Sequence, residues 1–151
     1  MLVQHFWLLC GLWCGVVNSL FVWKRLQPHV REGKFSPREV NTFALALSAS
    51  VLVPMLIFWG IQLSATATTS PNFLTWPAPQ RNMALGLQVL LWTAMLVFIF
   101  AKGGAHLMST YVGVGYKGWV YRWFFSPPAF KVMTLATVIS GAGTAAFALL
   151  A

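Results

Sequence analysis

Four stretches of the chain, Gln4–Trp23, Val40–Leu63, Met83–Ala101 and Val132–Leu150, run without a single Asp, Glu, Lys or Arg. A helix needs about 20 mostly apolar residues to cross a hydrocarbon core of roughly 30 Å, so each stretch has the length of a span. In lipid a backbone must pair within its own segment or in a closed barrel, and runs this long and this uniformly apolar do not suit barrel strands. The predicted fold is therefore all-α, an integral membrane bundle of four transmembrane helices forming one membrane domain over residues 1–151. Composition agrees, with 58% of residues hydrophobic and 8% charged, against roughly 25% charged in an ordinary soluble domain. A soluble globular protein is excluded.

Local signals place the helix starts. Ser36-Pro37-Arg38-Glu39 offers an N-cap serine, a proline at the first helical position and a glutamate three residues on, the pattern of a capping box. Ser126-Pro127-Pro128 does the same ahead of the last span. With these flanks the spans cover approximately residues 4–23, 37–63, 82–105 and 128–150, joined by loops at 24–36, 64–81 and 106–127. Pro54 falls inside the second span, where it removes a backbone donor and is expected to bend the helix, with Ser48 or Ser50 able to ease the fault.

The net charge of +8 is not spread evenly. Lys24, Arg25, Arg31, Lys34 and Arg38 lie between the first two spans and Lys102, Lys117, Arg122 and Lys131 between the last two, whereas the middle connection holds Arg81 alone. By the positive-inside rule both basic loops face the cytoplasm, and both termini and the Thr/Ser/Pro-rich 64–81 loop face the other side. With no basic residue ahead of its apolar run, the N-terminal span reads as an N-out signal anchor. The membrane is read as a bacterial inner membrane, with the mitochondrial inner membrane as the alternative.

Membrane helices associate through small residues that let backbones approach. Gly11 and Gly15 form a GxxxG on the first span, Ser19 continues the row, and Asn18 borders it as an interhelical hydrogen bonder. Ala136, Ser140, Thr144 and Ala148 make a second row on the last span, beside Gly141 and Gly143. These faces are expected either to close the monomer or to meet another subunit.

The residues that carry chemistry are few. Cys10 and Cys14 stand four apart on one helix face, candidate soft-metal ligands or a redox pair, but the spacing is not CxxC and the sequence has no further cysteine. Buried cysteine otherwise behaves as a small hydrophobe. A bis-histidine haem site needs two histidines at one depth. Of His5, His29 and His106, only the last two share a side, which leaves His106 as the candidate cofactor residue beside its plainer reading as a surface histidine. Gly113-Val114-Gly115-Tyr116-Lys117-Gly118 matches GxGxxG, but between two spans it lacks the βαβ setting that gives the motif meaning. The surrounding loop interleaves Tyr111, Tyr116, Trp119, Tyr121, Trp123, Phe124 and Phe125 with Lys117 and Arg122. Such a pattern suits stacking on single-stranded nucleic acid, and next to a membrane it suits better a segment lying at the lipid interface, so no nucleic-acid partner is expected. Lys24 and Arg25 are assigned to the same interfacial role on the first basic loop.

Away from His5 at the outer end of the first span, the spans offer only Asn18, Gln62, Gln88 and hydroxyls at depth, not the ionisable groups that proton relays and coupled carriers display. There is no Asp in the chain, and Glu32 and Glu39 are its two acids. The size and the four spans resemble those of the small four-helix membrane enzymes of glutathione and eicosanoid metabolism and of the four-helix thiol oxidoreductases of bacterial membranes, whose polar and CxxC signatures are missing here. The expected function is that of a non-catalytic accessory, scaffolding or assembly subunit of a larger respiratory, photosynthetic or transport complex. Its partners would be other integral membrane subunits and anionic lipids. Bound phospholipid is expected, a catalytic cofactor is not, and a quinone or pigment is left open. Alternatives are an oligomeric channel or carrier for a neutral or anionic solute, lined by Asn18, Gln62, Gln88 and the Pro54 bend, a membrane-embedded redox subunit or enzyme, and an immunity protein against a pore-forming toxin.

Overall fold

Backbone pairing within each segment has the expected outcome: the computed structural model is helical throughout, with no strand among the described residues, which are 2–65, 70–114 and 119–150. Side chains are described for these residues except 2, 3, 121 and 147–150. Four helices are long and apolar enough to cross a membrane: α1 (Phe6–Arg31), α2 (Pro37–Ser64), α3 (Ala78–Ala101) and α6, which is helical over Pro127–Leu150. Two shorter helices, α4 (Gly104–Val112) and α5 (Trp119–Phe124), lie between α3 and α6 in the chain. The chain divides into two compact units, Met1–Gln88 and Val89–Ala151.

In the first unit, α1 and α2 form an antiparallel hairpin. The apolar run ends at Trp23, yet α1 continues to Arg31, through Pro28. Leu26, which belongs to this extension, is fully buried, as is Val40 on α2, so packing at the closed end of the hairpin holds the extra turns in helix. The helix stops at Gly33, whose φ of +73° is the left-handed conformation glycine adopts freely. Gly33 N–H donates to Val30 O at 3.0 Å and Lys34 N–H to His29 O at 2.9 Å, the paired bonds of a Schellman motif. Three residues later the next helix begins as its sequence predicts. Glu39 N–H donates to Ser36 Oγ, and Ser36 N–H to Glu39 Oε2, closing the capping box with Pro37 at the first helical position. The α2 helix runs on through Pro54, which is buried, and the Ser50 hydroxyl donates to Leu47 O at 2.9 Å.

At the other end of the hairpin Trp7 stacks on Phe58 with centroids 4.9 Å apart, and Phe58 in turn meets Phe73. Phe73 opens a single 3₁₀ turn, Phe73–Thr75, capped by the Asn72 side chain, and touches Trp76. Trp76 and Gln62 both donate to Ser70 O, so the segment after α2 is held down on an aromatic base.

In the second unit the last turn of α3, Val97–Ala101, is wound wider, with π-type bonds. Where the sequence extends the third span to about residue 105, the helix ends at Ala101. Gly103, at φ +70°, turns the chain, and α4 begins at Gly104. A Cβ on Gly104 would collide with the Phe98 ring and carbonyl, so the reversal depends on a glycine there. The α4 and α5 helices occupy much of what hydropathy alone assigns to a loop. Ser126 caps α6, accepting from Ala129 N–H, as the Ser-Pro-Pro signal predicts. The α6 helix packs on α3 through Gly141, against the Trp92 ring, and buries Ala129 and Thr134.

Candidate helix-packing and interfacial sites

A glycine in a membrane helix is a notch, and its use depends on what fills it. On α1 the Gly11 and Gly15 notches are filled by α2. A Cβ at Gly11 would lie 2.8 Å from the Cβ of Met55, and one at Gly15 would lie 3.1 Å from both Leu52 N and Ser48 O. Backbone lies against backbone at Gly15, which only hydrogen in place of a side chain permits. Ser19, one turn on, is buried and turns its hydroxyl back to Gly15 O, so its polar group is satisfied within the helix. Asn18, beside this row, is exposed. A side-chain hydrogen bond between α1 and α2 is made elsewhere, where Trp23 Nε1–H donates to Asn41 Oδ1 at 2.7 Å.

On α6 the sequence singles out Ser140 and Thr144, but both lie on an exposed face, Thr144 donating its hydroxyl to Ser140 O. The close contact is made one residue over, by Gly141. The physical reason is helix rotation: at about 100° per residue, adjacent positions face different neighbours, and composition does not distinguish them. A Cβ added at Gly60, Gly86 or Gly143, on α2, α3 and α6, would have nothing within 4 Å, so these three notches stand open.

Cys10 is half-buried, Cys14 is exposed, and both are free thiols. No group of three or more His, Cys, Asp or Glu able to hold a metal occurs among the described residues. His106 is exposed on α4. His5 accepts from Trp59 Nε1–H at 3.3 Å. His29 sits 3.2 Å from Glu32, which also receives Lys34 at 2.8 Å. The Lys34 bond first, and then the His29 bond, hold the Glu32 carboxyl below its usual range. Of the polar residues proposed to line a path, Gln62 is buried and committed to Ser70, while Asn18 is exposed.

The basic and aromatic residues assigned to the lipid interface are largely outward. Lys24 is exposed and Arg25 half-buried at the end of α1, and Trp119, Arg122 and Trp123 are exposed on α5. Residues 115–118, which are Lys117 and the rest of the GxGxxG segment after Val114, lie outside the described residues. Sequence reasoning missed the cluster of His5, Trp7, Phe58, Trp59, Phe73 and Trp76. Its signal was present in the grouping of Trp and Phe near span ends, where amphipathic rings favour the interface, but their mutual contacts required the hairpin register.

Compared with protein-family models, with curated proteins and with solved structures, the chain has no match.

Proposed function

We propose that this protein is a non-catalytic accessory, scaffolding or assembly subunit of a larger complex in a bacterial inner membrane, respiratory, photosynthetic or transport, working through helix packing and lipid contacts. In this reading the four apolar helices span the bilayer as one bundle, both basic connections face the cytoplasm, and both termini lie on the opposite side. The observation that carries the proposal is the division among the glycines of the candidate spans. Gly11, Gly15 and Gly141 are filled by the chain's own side chains or backbone, whereas Gly60, Gly86 and Gly143 are open, and the hydroxyl row of Ser140 and Thr144 beside Gly143 is exposed. Small residues facing lipid gain nothing from close approach, while facing a partner helix they permit it. The decisive experiment is gentle extraction from the native membrane, a native gel, and mass spectrometry of the band. Co-migration in fixed proportion with a defined set of membrane subunits is the expected result. A lone monomer or homo-oligomer overturns the proposal.

A further inference from the structure

Helix α5 is six residues long and buries little of itself. Trp119 is 79% exposed, Trp123 65%, Val120 53% and Phe124 47%. Positions i, i+1, i+4 and i+5 form one continuous helical face, so these four side chains make a single apolar patch bearing two indoles. A helix this short does not persist in water on its own propensity, so the face needs a cover. Its place in the fold is fixed at the C-terminal end. Phe124 meets Phe125, Phe125 meets Phe130 at 6.3 Å, and Ser126 begins α6. The patch therefore hangs at the end of a candidate span, the level at which headgroups would begin.

Charge selects the cover. The unit Val89–Ala151 contains Lys102, Lys117, Arg122 and Lys131 and no acidic residue. Lys102, Arg122 and Lys131 are exposed, and Lys131 holds its ammonium 5.7 Å from the centroid of the Phe100 ring, which keeps it near the end of α3 where Lys102 stands. Indoles that want one apolar and one wet side, on a helix that also bears the exposed Arg122 and in a unit whose cations have no carboxylate to neutralise them, match an anionic phospholipid surface. We propose that α5, with Lys102, Arg122 and Lys131, is an interfacial foot that lies in the headgroup layer and enriches anionic phospholipid, the phosphates meeting the cations and the acyl chains meeting Trp119 and Trp123. This rests on the membrane reading above but not on the existence of partner subunits.

The test uses the full-length protein reconstituted in phosphatidylcholine vesicles containing about one part in four phosphatidylglycerol. Bromine is placed on the acyl chains of one lipid or the other, and tryptophan quenching is compared between the native chain and W119F/W123F. The difference signal isolates the α5 indoles. The expected result is about twofold stronger quenching of that signal by brominated phosphatidylglycerol than by brominated phosphatidylcholine at equal mole fraction. Replacing Lys102, Arg122 and Lys131 with Gln is expected to equalise the two lipids while leaving the quenching of the other tryptophans unchanged, which also shows that the variant is folded. Equal quenching in the native chain overturns the anionic preference. Absence of any difference signal overturns the foot itself and points to protein as the cover. Lipid preference in a chain that migrates alone on a native gel would sink the subunit reading and leave this one standing.

Discussion

At the residue scale, the glycines of the candidate spans divide into notches the chain fills itself and notches it leaves open. Replacing Gly15 with Leu drives a branched side chain into the backbone of α2 at Ser48 and Leu52. Overpacking of this sort costs about 1–3 kcal/mol, so G15L is expected to unfold at lower denaturant than the native chain in micelles, followed by circular dichroism. A Cβ added at Gly143 meets nothing within 4 Å, so Gly143→Leu extends from an open position. It is expected to leave the same unfolding curve unchanged and to lower the yield of the native complex, a split that a purely structural glycine would not produce. The Glu32 carboxyl gives a pH signature. Its pKa is lowered in the folded chain by Lys34 and His29, so its contribution is present above the unfolded value and is lost as pH falls through the folded one. Thermal stability is expected to decline on acidification through the carboxylate range by slightly more in the native chain than in E32Q. The group is fully exposed, so the effect is small.

At the element scale, caps and breakers carry most of what defines the helices. The α1–α2 connection is a Schellman stop at Gly33 followed at once by a capping box at Ser36, two local devices that set a tight antiparallel turn. Ser36→Ala removes the acceptor for Glu39 N–H and is expected to cost about 1 kcal/mol, read as a lower unfolding midpoint of the full chain. Both positive-φ glycines among the described residues, Gly33 and Gly103, end candidate spans on their basic side. The Ser36 box and the Ser126 cap are legible in the sequence because their chemistry is confined to four residues. The run of α1 past Trp23 and the break at Gly103 are not, since hydropathy marks where a segment is apolar and not where it is helical. Lys24–Arg31 is polar yet helical because Leu26 is buried in the hairpin.

At the scale of the whole molecule, the proposed orientation rests on the clustering of basic residues between the first pair and the last pair of candidate spans. Reporter fusions at either terminus are expected to be active only in a form that works outside the cytoplasm, and a fusion within the 64–81 loop is expected to agree with them. A cytoplasmic readout at the N-terminus would overturn the assigned topology. Exposed apolar side chains such as Leu45 and Ile139, at about 70% exposure, would be an aggregation liability in water and are ordinary against lipid.

By itself the sequence determined the helical class, the number of candidate spans, two helix starts and the distribution of charge, because each follows from the composition of a contiguous window. The tertiary structure alone decided which small residues are contacts. Gly11 and Gly15 face Met55 and Leu52, Gly141 faces Trp92, and Ser140 and Thr144 are turned outward. It also gathered Trp7, Phe58, Phe73 and Trp76 into one aromatic cluster from three separate segments. Those outcomes depend on the rotation of each helix about its axis and on the register of its neighbour. Uniformly apolar helices carry no periodic pattern from which that rotation can be read, so it is set only when particular side chains meet.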